Sequence, residues 1–294
     1  PINKINGKIK DIFIKNGKII DRPKRNEKIS KIINFKKKII MAGGIDIHSH
    51  IAGGKVNLAR LLLPEEHRKY LHSSSNILRS GSGLATCSSF HIGYKYAKLG
   101  YTAVFEPAVL PSNSRSAIIE MSDIPLIDKG TYTVLSNDDF LLKLIQKKSN
   151  QKKINDYVAW IIQSTKSLGI KIVNPGGINA FKFNQRELDL DEKNKKYNIT
   201  PRSILKTLTK SLIDLKAPHP IHVHGCNLGV PGNVKTTLKQ INAVEGKPMH
   251  LTHIQYHSYD NKGDRKFSSG ASLLAENINK QKNIPCDVGQ IMFG

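Results

Sequence analysis

From residue 45 onward, short apolar runs alternate with longer stretches in which apolar residues recur every three or four positions. The short runs at 45–50, 102–106, 132–136, 170–174, 221–224, 249–253 and 285–289 predict seven strands. Between them, Ile154, Tyr157, Val158, Ile161, Ile162, Thr165 and Leu168 fall at helical spacing, with Gly169 as the expected stop. Thr200 and Pro201 predict an N-cap followed by proline at the first helical position, ahead of Ile204, Leu205, Leu208, Leu212 and Ile213. Ser88 or Ser89 is expected to open a helix ending at Gly100. Asp138 opens another, and Asn233 precedes one that stops at Gly246. Repeated strand–helix units imply a parallel sheet, either doubly wound or closed into a barrel. No GxGxxG follows the first strand, and polar residues gather at the C-terminal ends of several strands, where a barrel builds its site. The expectation is an α/β fold of the (β/α)8 type over 45–294, with strands one to seven and no residues left for an eighth.

Residues 1–44 follow a different rhythm. Apolar pieces at 9–14, 18–20 and 32–41, the first two joined by Asn16-Gly17, predict short strands, and Gly43-Gly44 breaks the pattern. This segment is expected to be a small β-sandwich-like unit, incomplete at its start.

Composition narrows the class. Of 294 residues, 39% are hydrophobic and 23% charged, which argues for a folded chain. No apolar run is long enough for a membrane span and no signal-peptide layout opens the chain. Three cysteines (Cys87, Cys226 and Cys286) fit neither a disulfide framework nor a CxxC metal site. The expectation is a cytoplasmic protein. A net charge of +23 invites a nucleic-acid reading, but it rests on 37 Lys against nine Arg. Arginine is the side chain that forks onto phosphates and guanines. The lysine groups at 36–38, 147–153 and 193–196 are scattered and fit solvated faces, so no nucleic-acid partner is expected.

The candidate chemistry lies in histidines at strand ends. In Asp46-Ile47-His48-Ser49-His50, residues two apart on a strand share a face, so His48 and His50 can meet one metal ion. The fifth strand ends in His224, with His222 one step deeper, and the sixth carries His250 and ends in His253. Each alone is commonly a structural histidine, whereas three strands of one closing sheet bring their ends together. Imidazole suits zinc and similar ions, and the lack of a thiolate pair points to an open, catalytic site. A two-metal site also needs anionic ligands. Lys171 lies inside an apolar strand, and a buried neutral lysine can add CO2 to become a carbamate.

HxH after the first strand, Lys on the fourth, and His on the fifth and sixth resembles the amidohydrolase superfamily. The stretches IDIHSHIAGGKVNLARLLLPEEHR (45–68), GYTAVFEPAVLP (100–111), GIKIVNPGG (169–177), IHVHGCNLGVPGN (221–233), MHLTHIQYHSY (249–259) and CDVGQIMFG (286–294) resemble, more closely, the catalytic A-type subunits of formylmethanofuran dehydrogenase. The resemblance implies a metal-dependent amidohydrolase barrel with two zinc ions. It implies condensation of formate with methanofuran to N-formylmethanofuran, and the reverse hydrolysis, in the CO2-reducing first step of archaeal methanogenesis. Carried over by motif, His48 and His50 hold one zinc, His224 and His253 the other, and carboxylated Lys171 bridges both. Asp46, His222, Asn227, His250 and His257 are expected to support the ligands or touch substrate, with Asn174 a weaker candidate. The implied partners are pterin-binding B/D-type, C-type and Fe–S subunits, with tungsten- or molybdenum-pterin and Fe–S clusters on those subunits only. The family's catalytic Asp closes strand eight, so it is expected beyond Gly294; the chain then reads as a fragment, inactive alone, and Asp287 is not given that role. Two related readings stand beside this one: the alpha subunit of a formyltransferase/hydrolase complex, and another cyclic amidase-type amidohydrolase.

Overall fold

A computed structural model describes residues 10–72, 75–178 and 188–289. Contacts divide the chain into two units, Pro1–Ala42 and Gly43–Gly294. In the first, β1 (Phe13–Lys15) and β2 (Lys18–Ile20) pair antiparallel with Lys15 opposite Lys18. Asn16 and Gly17 both take left-handed backbone (φ 49° and 72°), as a two-residue hairpin requires. The strand expected over 32–41 is absent among the described residues. Ile32 and Ile39 are largely exposed there, and no strand pairs with that segment. The first expected piece is also shorter, and its residue Ile9 lies outside the described residues.

The second unit holds six parallel strands in sequence order: β3 (Gly44–Asp46), β4 (Tyr101–Val109), β5 (Asp128–Val134), β6 (Gly169–Val173), β7 (Ile221–His224) and β8 (Met249–Leu251). Helices Phe90–Lys98, Ser114–Ser122, Asp139–Gln146, Gln151–Thr165, Pro201–Asp214 and Asn233–Ala243 intervene. A small pair, β9 (Tyr259–Asp260) and β10 (Ser268–Ser269), and the helix Ala271–Lys280 follow. The expected caps at Asp138 and Thr200 form, their side chains accepting from the amides of Leu141 and Ser203. Near 88–89 it is Ser88 that accepts from the Phe90 amide, while Ser89 donates to the Glu120 carbonyl.

Three expected boundaries move for tertiary reasons. The helix ending at Thr165 stops through Lys166 in left-handed backbone, not at Gly169, because Leu168 already donates to Thr131 of β5 and Gly169 begins β6. The first barrel strand ends at Asp46, whose side chain accepts from the His48 amide and bends the chain. β8 ends at Leu251, because His253 takes φ 35° and cannot continue a ladder. The seventh strand expected at 285–289 is thereby reduced to one parallel bridge, Leu251 opposite Cys286.

Strand alternation separates two environments. Ile170 and Ile172, Ile221 and Val223, Met249 and Leu251 are buried against Leu141, Val158, Leu205, Leu208 and Ile241 of the helices. Their neighbours Lys171, His222 and His250 sit side by side in the ladder and face the other way. A flat sheet would hold β3 and β8 roughly 24 Å apart, five steps of about 4.8 Å. Yet the rings of His48, just after β3, and His253, just after β8, are 5.2 Å apart. The sheet is therefore curled into a half-barrel, with helices outside and the polar row on the concave side. Among the described residues no helix is long and apolar enough to cross a membrane.

The outer face carries the stability of this unit. Ile172→Ala, which leaves a cavity between β6 and the helices, is expected to cost about 2–5 kcal/mol. The Thr200→Ala cap variant is expected to cost about 1 kcal/mol. Denaturant midpoints of the two variants check both values.

Candidate metal centre

The floor of the concave side is the row Lys171, His222 and His250, and its rim is formed by residues just past the strand ends. Lys171 is 1% exposed, His222 1% and His257 0%. Asp287 joins the rim from the segment paired with β8. Its Oδ2 accepts from His250 Nε2 at 2.8 Å and His48 Nδ1 at 3.2 Å. Its Oδ1 accepts from the His253 amide at 2.6 Å. His222 Nε2 lies 3.7 Å from the same carboxylate. Across the rim, His253 Nε2 and His224 Nδ1 are 3.0 Å apart, and Thr252 Oγ1 lies 3.1 Å from His253 Nε2. The left-handed backbone of His253 makes both contacts possible, turning its amide to Asp287 and its ring to His224.

The expected site residues divide into groups. His48, His222, His224, His250, His253, Lys171 and Asp287 face one another. His48 and His50 do not share a strand face, because the strand ends at Asp46; a turn carries them, and their rings are 5.7 Å apart. His50 is more exposed, and its Nδ1 lies 2.9 Å from Glu106 Oε1. Asp46 holds the turn through the His48 amide. His257 stacks on His253 at 5.5 Å and meets Thr237. Asn174 donates its amide to the His224 carbonyl. Asn227 is bound through its carbonyl by Asn233 and, among the described residues, takes no part in the histidine cluster. Sequence reasoning left Asp287 without a role and did not single out Glu106. Both carried a usable signal: each is an acid at or near the C-terminal end of an apolar run.

Burial sets the charge state. It draws His224 down to about 2, His257 to about 3 and His253 to about 4, with neighbouring cations adding to the effect. His222 and His48 are lowered by burial as well. Burial lowers the Lys171 amine to about 7, against the pull of Asp287 and Glu106. Burial alone would raise Asp287, but the His222, His250 and His48 rings and the His253 amide outweigh it and hold the carboxyl below its ordinary value. The result at neutral pH is a carboxylate facing several neutral imidazoles.

Such a donor set fits a divalent metal. Both ring nitrogens of His222, Nδ1 of His253 and Nε2 of His257 are buried without a hydrogen-bond partner, an arrangement that costs stability unless their N–H groups and lone pairs are met. His48, His222 and Asp287 offer ligand atoms that all lie within 4.8 Å of one another. Nitrogen with carboxylate oxygen suits zinc and its neighbours.

The chain is similar to proteins of known family. The amidohydrolase family matches residues 31–294. Protein FwdA of Methanocaldococcus jannaschii is 38% identical over 302 residues, covering 99% of this chain and 52% of that protein. The A-type subunit of the formyltransferase/hydrolase complex Fhc of Methylorubrum extorquens is 34% identical over 289 residues, covering 97% and 52%. The crystal structure of that organism's FhcABCD complex with methylofuran contains a chain that superposes with a TM-score of 0.86 at 35% identity, covering 96% of this chain and 51% of its own length. The chain thus spans about half the length of the curated relatives it matches.

The lowered histidines and the lowered Lys171 all act with one sign. Each binds a proton more readily in the unfolded chain, so metal-free stability rises with pH. Lys171 contributes between about 7 and 10.5, and His253 between about 4 and 6.5. Asp287 adds to the loss at acid pH, since its folded pKa is also depressed. Denaturant midpoints of metal-free protein are expected to fall steadily as pH drops below about 6.5, and His253→Gln is expected to flatten that slope.

Proposed function

The chain belongs to the amidohydrolase family, and from that membership we propose that it is the metal-binding part of the A-type component of a formylmethanofuran dehydrogenase. The reaction joins formate to the primary amine of methanofuran, giving N-formylmethanofuran and water, and runs back by hydrolysis. The observation that carries this reading is the convergence of Asp287, Lys171 and the strand-end histidines on the concave side of the half-barrel.

In this reading His48, His50, His224 and His253 would hold two zinc ions, and Lys171, as a carbamate, would supply an anionic ligand to them. His222 and Asp287, which stand with His48, complete the donor set. When bound, such a pair supplies a hydroxide nucleophile near neutral pH and polarises the formyl oxygen. The chain's own residues prepare the site. With its amine lowered to about 7, Lys171 is substantially neutral at physiological pH. Its Nζ adds to the carbon of CO2, forming the N–C bond and releasing one proton to solvent. Asp287 accepts hydrogen bonds from His48 Nδ1 and His250 Nε2, which leaves His48 Nε2 free as a ligand atom. Asp46 fixes the backbone of the same turn. His257 packs beneath His253 and restricts its ring. A partner bearing tungsten- or molybdenum-pterin would deliver the formate, with C-type and Fe–S subunits completing the assembly.

A second reading, the corresponding component of a formyltransferase/hydrolase complex, draws on the solved relative bound to methylofuran. Formate release from N-formylmethanofuran supports the first reading, and transfer of the formyl group to and from a tetrahydropterin supports the second.

Anomalous diffraction on the intact protein tests the shared centre. Two zinc peaks within about 4 Å of each other are expected beside Lys171. A single peak or none overturns the two-metal reading. Lys171→Ala is expected to reduce bound metal to about one ion or fewer per chain. In the wild type, 13C-labelled bicarbonate is expected to yield a carbamate resonance that the variant lacks.

A further inference from the structure

The turn that carries His50 is clamped by two buried carboxylates, and only one of them touches the ring. Glu106 is 2% exposed, at the point where β4 breaks register with β5 between Glu106 and Val109. Its Oε2 accepts from the amides of Ile51 at 2.7 Å and Ala52 at 3.3 Å. Its Oε1 accepts from the Ala108 amide at 3.1 Å and faces His50 Nδ1 at 2.9 Å. Three of these four partners are backbone N–H groups and fix the carboxylate in place. A carboxylate has no hydrogen to give to the ring, so His50 must donate from Nδ1, and its lone pair lies on Nε2. The second carboxylate, Glu120, accepts from the Gly53 amide at 2.9 Å and from Asn57 at 3.1 Å. It also pairs with Arg60, whose other nitrogen reaches the Ile51 carbonyl. Glu120 holds the same loop without contacting His50.

We propose that Glu106 is a positioning residue that locks His50 in the Nδ1–H tautomer and presents its Nε2 to the metal centre. The inference rests on the reading of His50 as a ligand. His50 is the most exposed ring of the set, so the fixed Glu106 carboxylate supplies the orientation that burial gives to His222 and that Asp287 gives to His48. Carboxylate partners of this kind typically change metal affinity by roughly 10–100-fold when removed.

The test uses the intact protein with zinc as the probe. Nitrogen-15 NMR of metal-free wild type is expected to show His50 protonated at Nδ1. In Glu106→Gln, the side-chain amide must turn a donor toward either His50 or the Ile51 and Ala52 amides, so the Nδ1–H population is expected to fall. Zinc affinity, measured by chelator competition, is expected to drop roughly 10–100-fold. Glu120→Gln is expected to lower the melting temperature and to leave both the tautomer and zinc affinity near wild type. An Nε2–H tautomer in the wild type overturns the proposal, a measurement that needs no variant to fold. Unchanged zinc affinity in a folded Glu106→Gln protein overturns it as well, as does an equal loss of affinity in Glu120→Gln. A wild type that takes up no zinc instead overturns the functional reading, while the tautomer measured without metal still decides what Glu106 does to His50.

Discussion

A single partly buried carboxylate joins the two ends of the half-barrel. Asp287 accepts from His48, which follows the first strand of the sheet, and from His250, in the sixth, while also binding the His253 amide. Without curl, the β3 and β8 ends would be far beyond the reach of one side chain. The contact therefore depends on the twist and coil accumulated over every strand pair between them. It also explains the shape of the seventh segment. Residues 285–287 run beside Leu251 only far enough to deliver Asp287, and the left-handed turn at His253 ends the ladder there.

Burying this polar row is costly in itself, and the arrangement limits that cost. An ammonium group placed at Lys171 would face heavy desolvation, so its amine is shifted toward neutrality. His224 and His253 are neutral for the same reason. What remains is one negative charge at Asp287 and several ring nitrogens without a hydrogen-bond partner. Unpaired ring nitrogens also occur elsewhere, at His67 and His91, so it is their concentration beside the Asp287 carboxylate that points to a cation. The apolar partners of the same strands, Ile170, Ile172, Ile221 and Val223, offset the cost by packing on the helices.

The loop carrying His50 solves a different problem. It lies at the edge of the sheet, outside the polar row, and Ile51 and Ala52 anchor it in a second core cluster with Val104, Val109 and Ala117. Two buried acids, Glu106 and Glu120, add to that packing by bonding the successive backbone amides of residues 51–53. Gly53, at φ 98°, lets the chain turn from this clamp into the helix Gly54–Leu61. The scattered lysines that dominate the charge take no comparable part; groups such as Lys147, Lys148, Lys152 and Lys153 lie on exposed surface.

Much of the molecule was legible along the chain because it is encoded locally. The Asn16-Gly17 hairpin, the Asp138 and Thr200 caps and the alternation that sends Ile170 outward and Lys171 inward depend on residues a few positions apart. The histidines at the ends of β7 and β8, and His48 beyond β3, could be found in the same way. Where helices and strands stop was less readable: Lys166, rather than Gly169, ends its helix because pairing with β5 begins at Leu168. The strand at 32–41 failed because an apolar run needs a partner that the sequence pattern does not name. Least readable were the two acids. Asp287 and Glu106 look like ordinary polar residues near strand ends, and their roles come from neighbours about 240 and 56 residues away along the chain. Strand periodicity fixes which face a side chain takes, whereas only the curl of the sheet fixes which distant side chains it meets there.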